Sequence, residues 1–219
     1  MLTRNDLTSE RLKAIFLEAE AKGLYRLLSD EERQETRRLA LAQLAPGEDL
    51  WVFGYGSLMW NPALEFEEQR LARLYGYHRR FCLQIQLGRG SPERPGLMLA
   101  LDRGGSCQGI AFRIAARNIE AETRLLWNRE MLSGAYRPTW VRLRAAGEIF
   151  RAVTFVANRR LDRYCGGLEE AETVERLATG CGELGSCRDY LAKTVRHLEE
   201  VGVHDPHLHR LLRQVESRD

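Results

Sequence analysis

The sequence lacks any apolar run of the roughly 18 to 20 residues that a membrane-spanning helix needs. It also lacks, at its start, the order of basic, apolar and small residues that marks a signal peptide. The 33 basic and 31 acidic side chains nearly balance, so no excess of positive charge indicates a nucleic-acid surface. We therefore predict a cytoplasmic protein with no membrane partner and no nucleic-acid partner.

Cysteine pairs with characteristic spacing are missing as well. The five cysteines form an odd set without a Cys-x-x-Cys motif, and free reduced thiols are the expected state. The histidines in residues 204–209 are potential zinc ligands, but Pro206 breaks the helical spacing that a two-histidine zinc helix uses. We expect no metal site.

The chain divides into a helical beginning and a longer region of mixed structure. Its 219 residues are enough for one domain with a sizeable core. Residues 1–48 are charged and helical in pattern, and Ser29 with Glu32 matches a capping box. Pro46 and Gly47 then signal a turn. We predict a helical N-terminal extension over residues 1–48, packed as surface helices, and the main domain over residues 49–219.

Strand-like segments dominate the first half of that main domain. Alternating apolar positions and β-branched or aromatic residues predict six strands, at residues 51–57, 73–85, 96–104, 108–114, 139–144 and 151–158. Helical spacing marks residues 118–136, and helices return from about residue 168. This order differs from the β-α-β alternation of a doubly wound sheet. We therefore predict an α+β fold with a mixed or barrel-like sheet.

The segment WVFGYGSLMW, residues 51–60, interrupts an apolar strand with two glycines. Glycine is usually kept where the backbone needs a positive φ or where another group approaches it closely. Met59 stands where a dinucleotide fingerprint requires a third small residue, and the segment matches neither a phosphate loop nor a nucleophile elbow. Two interpretations remain: a tight structural turn, or a nest of backbone N–H groups for an anion or oxyanion, with the hydroxyls of Tyr55 and Ser57 beside it.

Glu130 is a second candidate for a chemical role. On a helical wheel it projects into the apolar face that contains Leu126 and Trp127. Burial raises the pKa of a carboxyl group, which lets it exchange protons near neutral pH. The alternative interpretation is a structural ion pair of Glu130 with Arg129 or Arg137.

Together these segments resemble the ChaC-type γ-glutamylcyclotransferases, in their glutathione-specific branch. The resemblance covers residues 51–215 and rests on five motifs in the family's order: VFGYGSLMW, RLYGYHRRFCL, WNREMLSGAYRPTWV, TFVAN and GELGSCRDYLAKTVRHLEEVGVHDPHL. It implies a mixed β-barrel with flanking helices. It also implies a carbon–nitrogen lyase that needs no cofactor and converts glutathione into 5-oxoproline and L-cysteinylglycine, and it identifies no protein partner.

The same resemblance implies the residues of the site. The family's catalytic glutamate corresponds to Glu130. Its substrate-binding loop corresponds to six consecutive residues: Gly54, Tyr55, Gly56, Ser57, Leu58 and Met59. Tyr136 and Tyr190 are candidates for further contacts with glutathione, although a tyrosine satisfied within the protein core is the alternative for each.

Two alternative functions remain at the level of sequence. One keeps the chemistry and changes the substrate to other γ-glutamyl amino acids or γ-glutamylamines. The other is a non-catalytic regulator linked to cation transport, for which the amphipathic extension over residues 1–48 would supply the partner surface.

Overall fold

The computed structural model describes residues 17–18 and 20–218 in two compact units. The first unit contains the described residues up to His78 together with Leu101–Asn158, and the second contains Arg79–Ala100 and the described residues from Arg159 onward. The extension expected over residues 1–48 lies partly outside the described residues, at residues 1–16 and 19. Among the described helices, none combines the length and the apolar character that crossing a bilayer requires.

Helices alternate with single strands or pairs of strands, and the described chain ends in two helices. The elements are helix α1 (Asp30–Leu41), strand β1 (Leu50–Gly54), short helix α2 (Ser57–Trp60), strands β2 (Glu68–Ile85) and β3 (Gly96–Ile114), a 3-10 turn (Ala116–Asn118), helix α3 (Ile119–Glu130), strands β4 (Tyr136–Ala145) and β5 (Glu148–Ala157), helix α4 (Glu170–Thr179), two-residue strands β6 (Cys181–Gly182) and β7 (Gly185–Ser186), and helices α5 (Cys187–Glu200) and α6 (Pro206–Glu216).

Five strands close into a barrel in the order β1-β3-β2-β4-β5. Strand β1 pairs antiparallel with β3 and parallel with β5, so the sheet is mixed. The prediction of an α+β fold with a mixed, barrel-like sheet and flanking helices is confirmed.

Strand β3 differs from its prediction. The sequence indicated two strands, at residues 96–104 and 108–114, and the structure has one strand of 19 residues. Gly104 and Gly105, which indicated the end of a strand, take φ values of +98° and +65° inside it. Two positive-φ glycines change the local direction of the backbone, and the strand continues beyond them.

Helix α1 packs against helix α3 in the first unit. The predicted capping box is present, because the Ser29 hydroxyl accepts a hydrogen bond from the Glu32 N–H at 3.2 Å and the Glu32 carboxylate accepts one from the Ser29 N–H at 2.8 Å. The Trp127 indole N–H donates to the Thr36 hydroxyl at 3.1 Å. Arg37 makes two hydrogen bonds of 2.7 Å to Glu120 at the start of α3. Helix α3 is therefore held at its beginning and near its end.

The core of the first unit joins these helices to the barrel wall. The Trp127 ring is only 1% exposed and meets the Phe155 ring of β5 edge to face, with centroids 5.2 Å apart. Leu58, Leu126 and Met131 belong to the same cluster. Burial of each such side chain contributes about 1.5–3 kcal/mol. This packing fixes the end of α3, where Glu130 lies.

The second unit is mainly helical. Helices α4, α5 and α6 pack on one another, and the buried Arg79 side chain pairs with Asp205 at 3.3 Å. Burial raises the pKa of the Cys187 thiol to about 11. All five cysteines are free. Across residues 17–18 and 20–218, no group of three or more histidine, cysteine or acidic residues could hold a metal ion.

Candidate active site

The glycine loop leaves the barrel at the end of β1 and turns at once into α2. Gly54 is the last residue of β1 and lies opposite Ile110 of β3, and Gly56 precedes the first turn of α2. The Tyr55 hydroxyl donates to the Phe155 carbonyl oxygen at 2.8 Å, which ties the loop to β5. Because this donor is engaged within the protein, Tyr55 holds the loop in place through its hydroxyl.

The loop also presents backbone donors. Within the part of the chain that the structure describes, the N–H groups of Gly56, Ser57 and Leu58 meet no hydrogen-bond acceptor. Ser57 and Leu58 begin helix α2 and Gly56 caps it, and N–H groups at the start of a helix have no partner in a preceding turn. The side chains of Leu58 and Met59 are 6% and 4% exposed, so they anchor the loop in the core. The loop is therefore apolar on its buried side and offers N–H donors from its backbone.

A second glycine, Gly109 of β3, makes room for this loop. A Cβ atom at Gly109 would lie 2.3 Å from the Gly54 carbonyl oxygen and 2.8 Å from the Phe53 ring. The end of β1 can therefore approach β3 closely only because residue 109 has no side chain.

We expect Gly109→Ala to lower the free energy of unfolding by about 1–3 kcal/mol, because the added methyl group must push β1 away from β3. Urea unfolding measures the loss. Gly167→Ala is the control, since a Cβ atom there meets no atom within 4 Å. Equal free energies of unfolding for the two variants would contradict the close approach of Gly109 to Gly54.

Glu130 is the last residue of α3 and shares its surroundings with Arg129. The Arg129 Nε atom lies 3.0 Å from a Glu130 carboxylate oxygen, and the two side chains are only 6% and 14% exposed. The other two nitrogens of the same guanidinium bind the loop: one donates to the Ser57 hydroxyl at 2.7 Å and the other to the Asn61 carbonyl oxygen at 2.6 Å. A single buried guanidinium therefore connects Glu130 to the glycine loop.

The electrostatic environment of Glu130 is set by two opposing effects. Burial raises the pKa of its carboxyl group above the ordinary value, and the positive charge of Arg129 opposes that rise. A raised pKa makes the Glu130 carboxylate a stronger proton acceptor than that of an exposed glutamate. The arrangement therefore contains both the ion pair with Arg129 and a group suited to proton transfer.

The two tyrosines of the sequence prediction lie in different surroundings. Tyr136 begins β4 and packs, partly buried, against the core cluster of the first unit. Tyr190 belongs to the second unit, where it is 4% exposed. Its ring meets the Phe81 ring edge to face, and the Arg89 guanidinium lies 5.1 Å from its centre.

Sequence patterns indicated the glycine loop and Glu130 as parts of a site, but they did not predict that hydrogen bonds of Arg129 connect the two. The sequence interpretation considered Arg129 only as an ion-pair partner for Glu130, and it did not consider Asn61. The signal in the sequence was an arginine directly before a glutamate on an apolar helix face. Its contacts with Ser57 and Asn61 depend on residues 72 and 68 positions away, so they follow from the tertiary fold.

Comparison with known proteins places this architecture in a family. The family model described as ChaC-like protein matches residues 50–218. The chain belongs to the ChaC family. One ChaC relative, the Escherichia coli K12 protein named glutathione-specific γ-glutamylcyclotransferase, is 38% identical over 218 residues, which are 99% of this chain and 93% of the relative. The human protein named glutathione-specific γ-glutamylcyclotransferase 1 is 28% identical over 166 residues, 73% of this chain and 75% of that protein.

A solved structure shares the fold of this ChaC chain. It is the selenomethionine-labelled yeast γ-glutamyl cyclotransferase specific to glutathione, which superposes with a TM-score of 0.71 at 20% identity. The match covers 77% of this chain and 96% of the yeast protein. At that identity the likeness concerns the fold alone.

Proposed function

We propose that this protein is a carbon–nitrogen lyase that cleaves glutathione by cyclisation of its γ-glutamyl group, giving 5-oxoproline and L-cysteinylglycine. The observation that carries the proposal is the Arg129 guanidinium, which binds the carboxylate of Glu130 and the Ser57 hydroxyl together. Membership of the ChaC family, and relatives named for this activity in Escherichia coli and human, support the choice of substrate.

The reaction uses a nucleophile that the substrate itself supplies. The α-amine of the γ-glutamyl group attacks its own γ-carbonyl carbon and forms the ring C–N bond of the lactam. The amide C–N bond to the cysteine residue then breaks, and the cysteine nitrogen leaves as an amine. The bonds that form and break in this reaction require no cofactor. The protein's first task is to hold the chain folded so that amine and carbonyl meet, an effect worth several kcal/mol.

Glu130 is proposed as both base and acid. The substrate's α-ammonium group, with a pKa of about 8, must lose a proton before it can attack. The Glu130 carboxylate takes that proton and later transfers one to the departing cysteine nitrogen. The raised pKa of Glu130 makes its carboxylate a stronger proton acceptor than that of an exposed glutamate, which favours the first transfer.

The glycine loop is proposed as the substrate-binding site. The N–H groups of Gly56, Ser57 and Leu58 can bind either the negative oxygen of the tetrahedral intermediate or the α-carboxylate of the substrate. Gly54, Tyr55 and Met59 complete the proposed loop.

Four expectations from the sequence stay predictions. They are contacts of glutathione with Tyr136 and with Tyr190, a boundary between an extension and the catalytic domain at residues 48 and 49, and a cytoplasmic location. The location agrees with the free state of all five cysteines, because thiols are kept reduced in the cytosol.

The deciding experiment incubates the purified full chain with glutathione and measures both products by mass spectrometry. We expect 5-oxoproline and cysteinylglycine in equal amounts. γ-Glutamyl-alanine serves as the second substrate. A faster rate on it would show that the protein acts on a broader class of γ-glutamyl compounds and is not specific for glutathione. Absence of 5-oxoproline from both substrates would overturn the proposed activity.

A further inference from the structure

The outside of the barrel carries a patch of basic and apolar side chains on strands β2, β4 and β5 of the first unit. We call this patch the arginine face. It consists of seven residues: Leu71, Arg73, Tyr75, Arg142, Arg144, Ile149 and Arg151. All seven are exposed or half-buried, whereas the alternate residues Leu74 and Leu143 are buried. Since successive side chains of a strand point to opposite faces, the seven residues share the outer face.

Strand pairing sets these arginines against one another. Arg142 lies opposite Arg151, and Arg73 lies opposite Arg144. The two-residue turn at residues 146–147, with positive φ at both positions, fixes the register of the β4–β5 hairpin. Like charges directly opposite each other on one face of a sheet are destabilising. The unbound protein therefore holds two unfavourable pairs on this face.

Within the described residues no carboxylate relieves this repulsion, and the Arg151 guanidinium lies 4.5 Å from the centre of the Trp140 ring. Within residues 17–18 and 20–218, none of the four guanidiniums contacts a carboxylate, and the guanidiniums of Arg142 and Arg144 have no hydrogen-bond or ion-pair partner. Arg73 reaches a serine hydroxyl at 3.4 Å, and Arg151 donates to the side-chain oxygen of Gln43 at 3.0 Å. Both of these partners are neutral.

Other arginines of the first unit have acidic partners. Arg113 pairs with Asp49 at 2.5 Å and with Glu68 at 3.1 Å. Glu68 and Glu148, which come before the arginine face in β2 and β5, point to the other side of the sheet, where both bind Arg70. The local carboxylates are thus already engaged, and the arginine face is left as a set of unneutralised charges.

The apolar members of the face indicate the class of partner. Leu71, Tyr75 and Ile149 are 45%, 57% and 61% exposed. Arginine and tyrosine are enriched at protein–protein interfaces, where lysine, aspartate and glutamate are depleted. The arginine face contains none of the depleted types. A nucleic-acid surface would instead be expected in a chain with a clear excess of basic residues, which this chain lacks.

We propose that the arginine face binds a short segment of another protein that carries both carboxylates and apolar side chains. Three adjacent strands span about 10 Å, and five residues along a strand span about 13 Å. This footprint suits a short peptide segment better than a folded partner, which typically covers about 800 Å². The segment's carboxylates would neutralise the opposed guanidiniums, and its apolar side chains would cover Tyr75 and Ile149.

The test measures fluorescence anisotropy of a labelled peptide made of Glu-Glu-Leu-Leu repeats in the presence of the full chain. We expect binding that weakens with added salt, and at least about a tenfold loss of affinity in Arg142→Glu/Arg144→Glu, the loss that removal of a hot spot causes. Two competing probes are a peptide of Gln-Gln-Leu-Leu repeats and a single-stranded oligothymidylate. Equal or tighter binding of either probe, or of vesicles containing phosphatidylserine, would overturn the proposed partner class.

A matched double variant controls for net charge. Arg38→Glu/Arg124→Glu makes the same change in charge on two exposed arginines that are already paired with glutamates on helices α1 and α3. We expect it to keep the affinity for the acidic peptide. An equal loss of affinity in both double variants would show that only net charge matters and would contradict a defined face.

Thermal unfolding supplies a second readout. Arg142→Glu replaces a like-charge pair with an opposite-charge pair across from Arg151. We expect the Tm to rise by about 1–3 °C, while binding of the acidic peptide weakens. An unchanged or lower Tm would contradict the repulsion on which the inference rests.

Discussion

Replacement of Glu130 by glutamine is expected to lower kcat on glutathione by about 10²–10⁴-fold, the range for loss of a general acid or base. The amide keeps the size of the carboxylate but can neither take the proton from the α-ammonium nor return one to the leaving amine. Because Glu130 acts on protons rather than on affinity, KM is expected to change little. Initial rates of 5-oxoproline release, measured over a range of glutathione concentrations, give both constants.

Glu120→Gln is the matched control for this prediction. Glu120 lies on the same helix, but its carboxylate is exposed, and hydrogen bonds from Arg37 lower its pKa to about 2. A group that stays ionised and paired at neutral pH is a poor proton acceptor. The control should keep kcat. Near-parental kcat in Glu130→Gln would rule out its role as base and acid.

The Arg129→Met variant is expected to lose about tenfold or more in kcat/KM on the acid limb of its pH profile, where Glu130 must lose a proton before it can act. Glu130 must be ionised to accept the first proton, and the Arg129 charge favours that ionised state. Removal of the charge raises the pKa of Glu130 further. The acid limb of the kcat/KM profile should therefore move to higher pH, as expected for the loss of an opposite charge in contact.

Arg129→Lys separates the charge from the geometry. Lysine keeps the positive charge but cannot donate from a planar fork to Ser57, Asn61 and Glu130 together. We expect a smaller shift of the pH profile than in Arg129→Met, together with a raised KM because the loop loses its anchor. If both variants kept the parental profile and lost only stability, Arg129 would be a structural residue and not a positioning residue for Glu130.

Local patterns in the sequence predicted the parts of the fold that depend on neighbours along the chain. The capping box at Ser29 and the apolar face of α3 that contains Trp127 and Glu130 both follow from spacings of three or four residues, and both are present. The two parts of β3 were separated in the prediction because Gly104 and Gly105 have the character of turn residues.

The same distinction between local and long-range contacts applies to the proposed site. Helical periodicity predicted that Glu130 lies on an apolar face, and Arg129 directly precedes it in the sequence. The bond from the Tyr55 hydroxyl to the Phe155 carbonyl oxygen joins residues 100 positions apart, and no local spacing records it. Long-range hydrogen bonds depend on the closure of the barrel, which the pattern of strands does not specify.

Helix α1 has a consequence for any shortened form of this protein. A chain that began at residue 49 would lose Thr36 and Ala40, which accept hydrogen bonds from the indole N–H groups of Trp127 and Trp140. Each orphaned donor, where water could not reach it, would cost about 1–3 kcal/mol. Trp127 precedes Glu130 by less than one turn of helix α3. A truncation upstream of the glycine loop would therefore loosen the helix that carries the proposed base, although it removes no residue of the site.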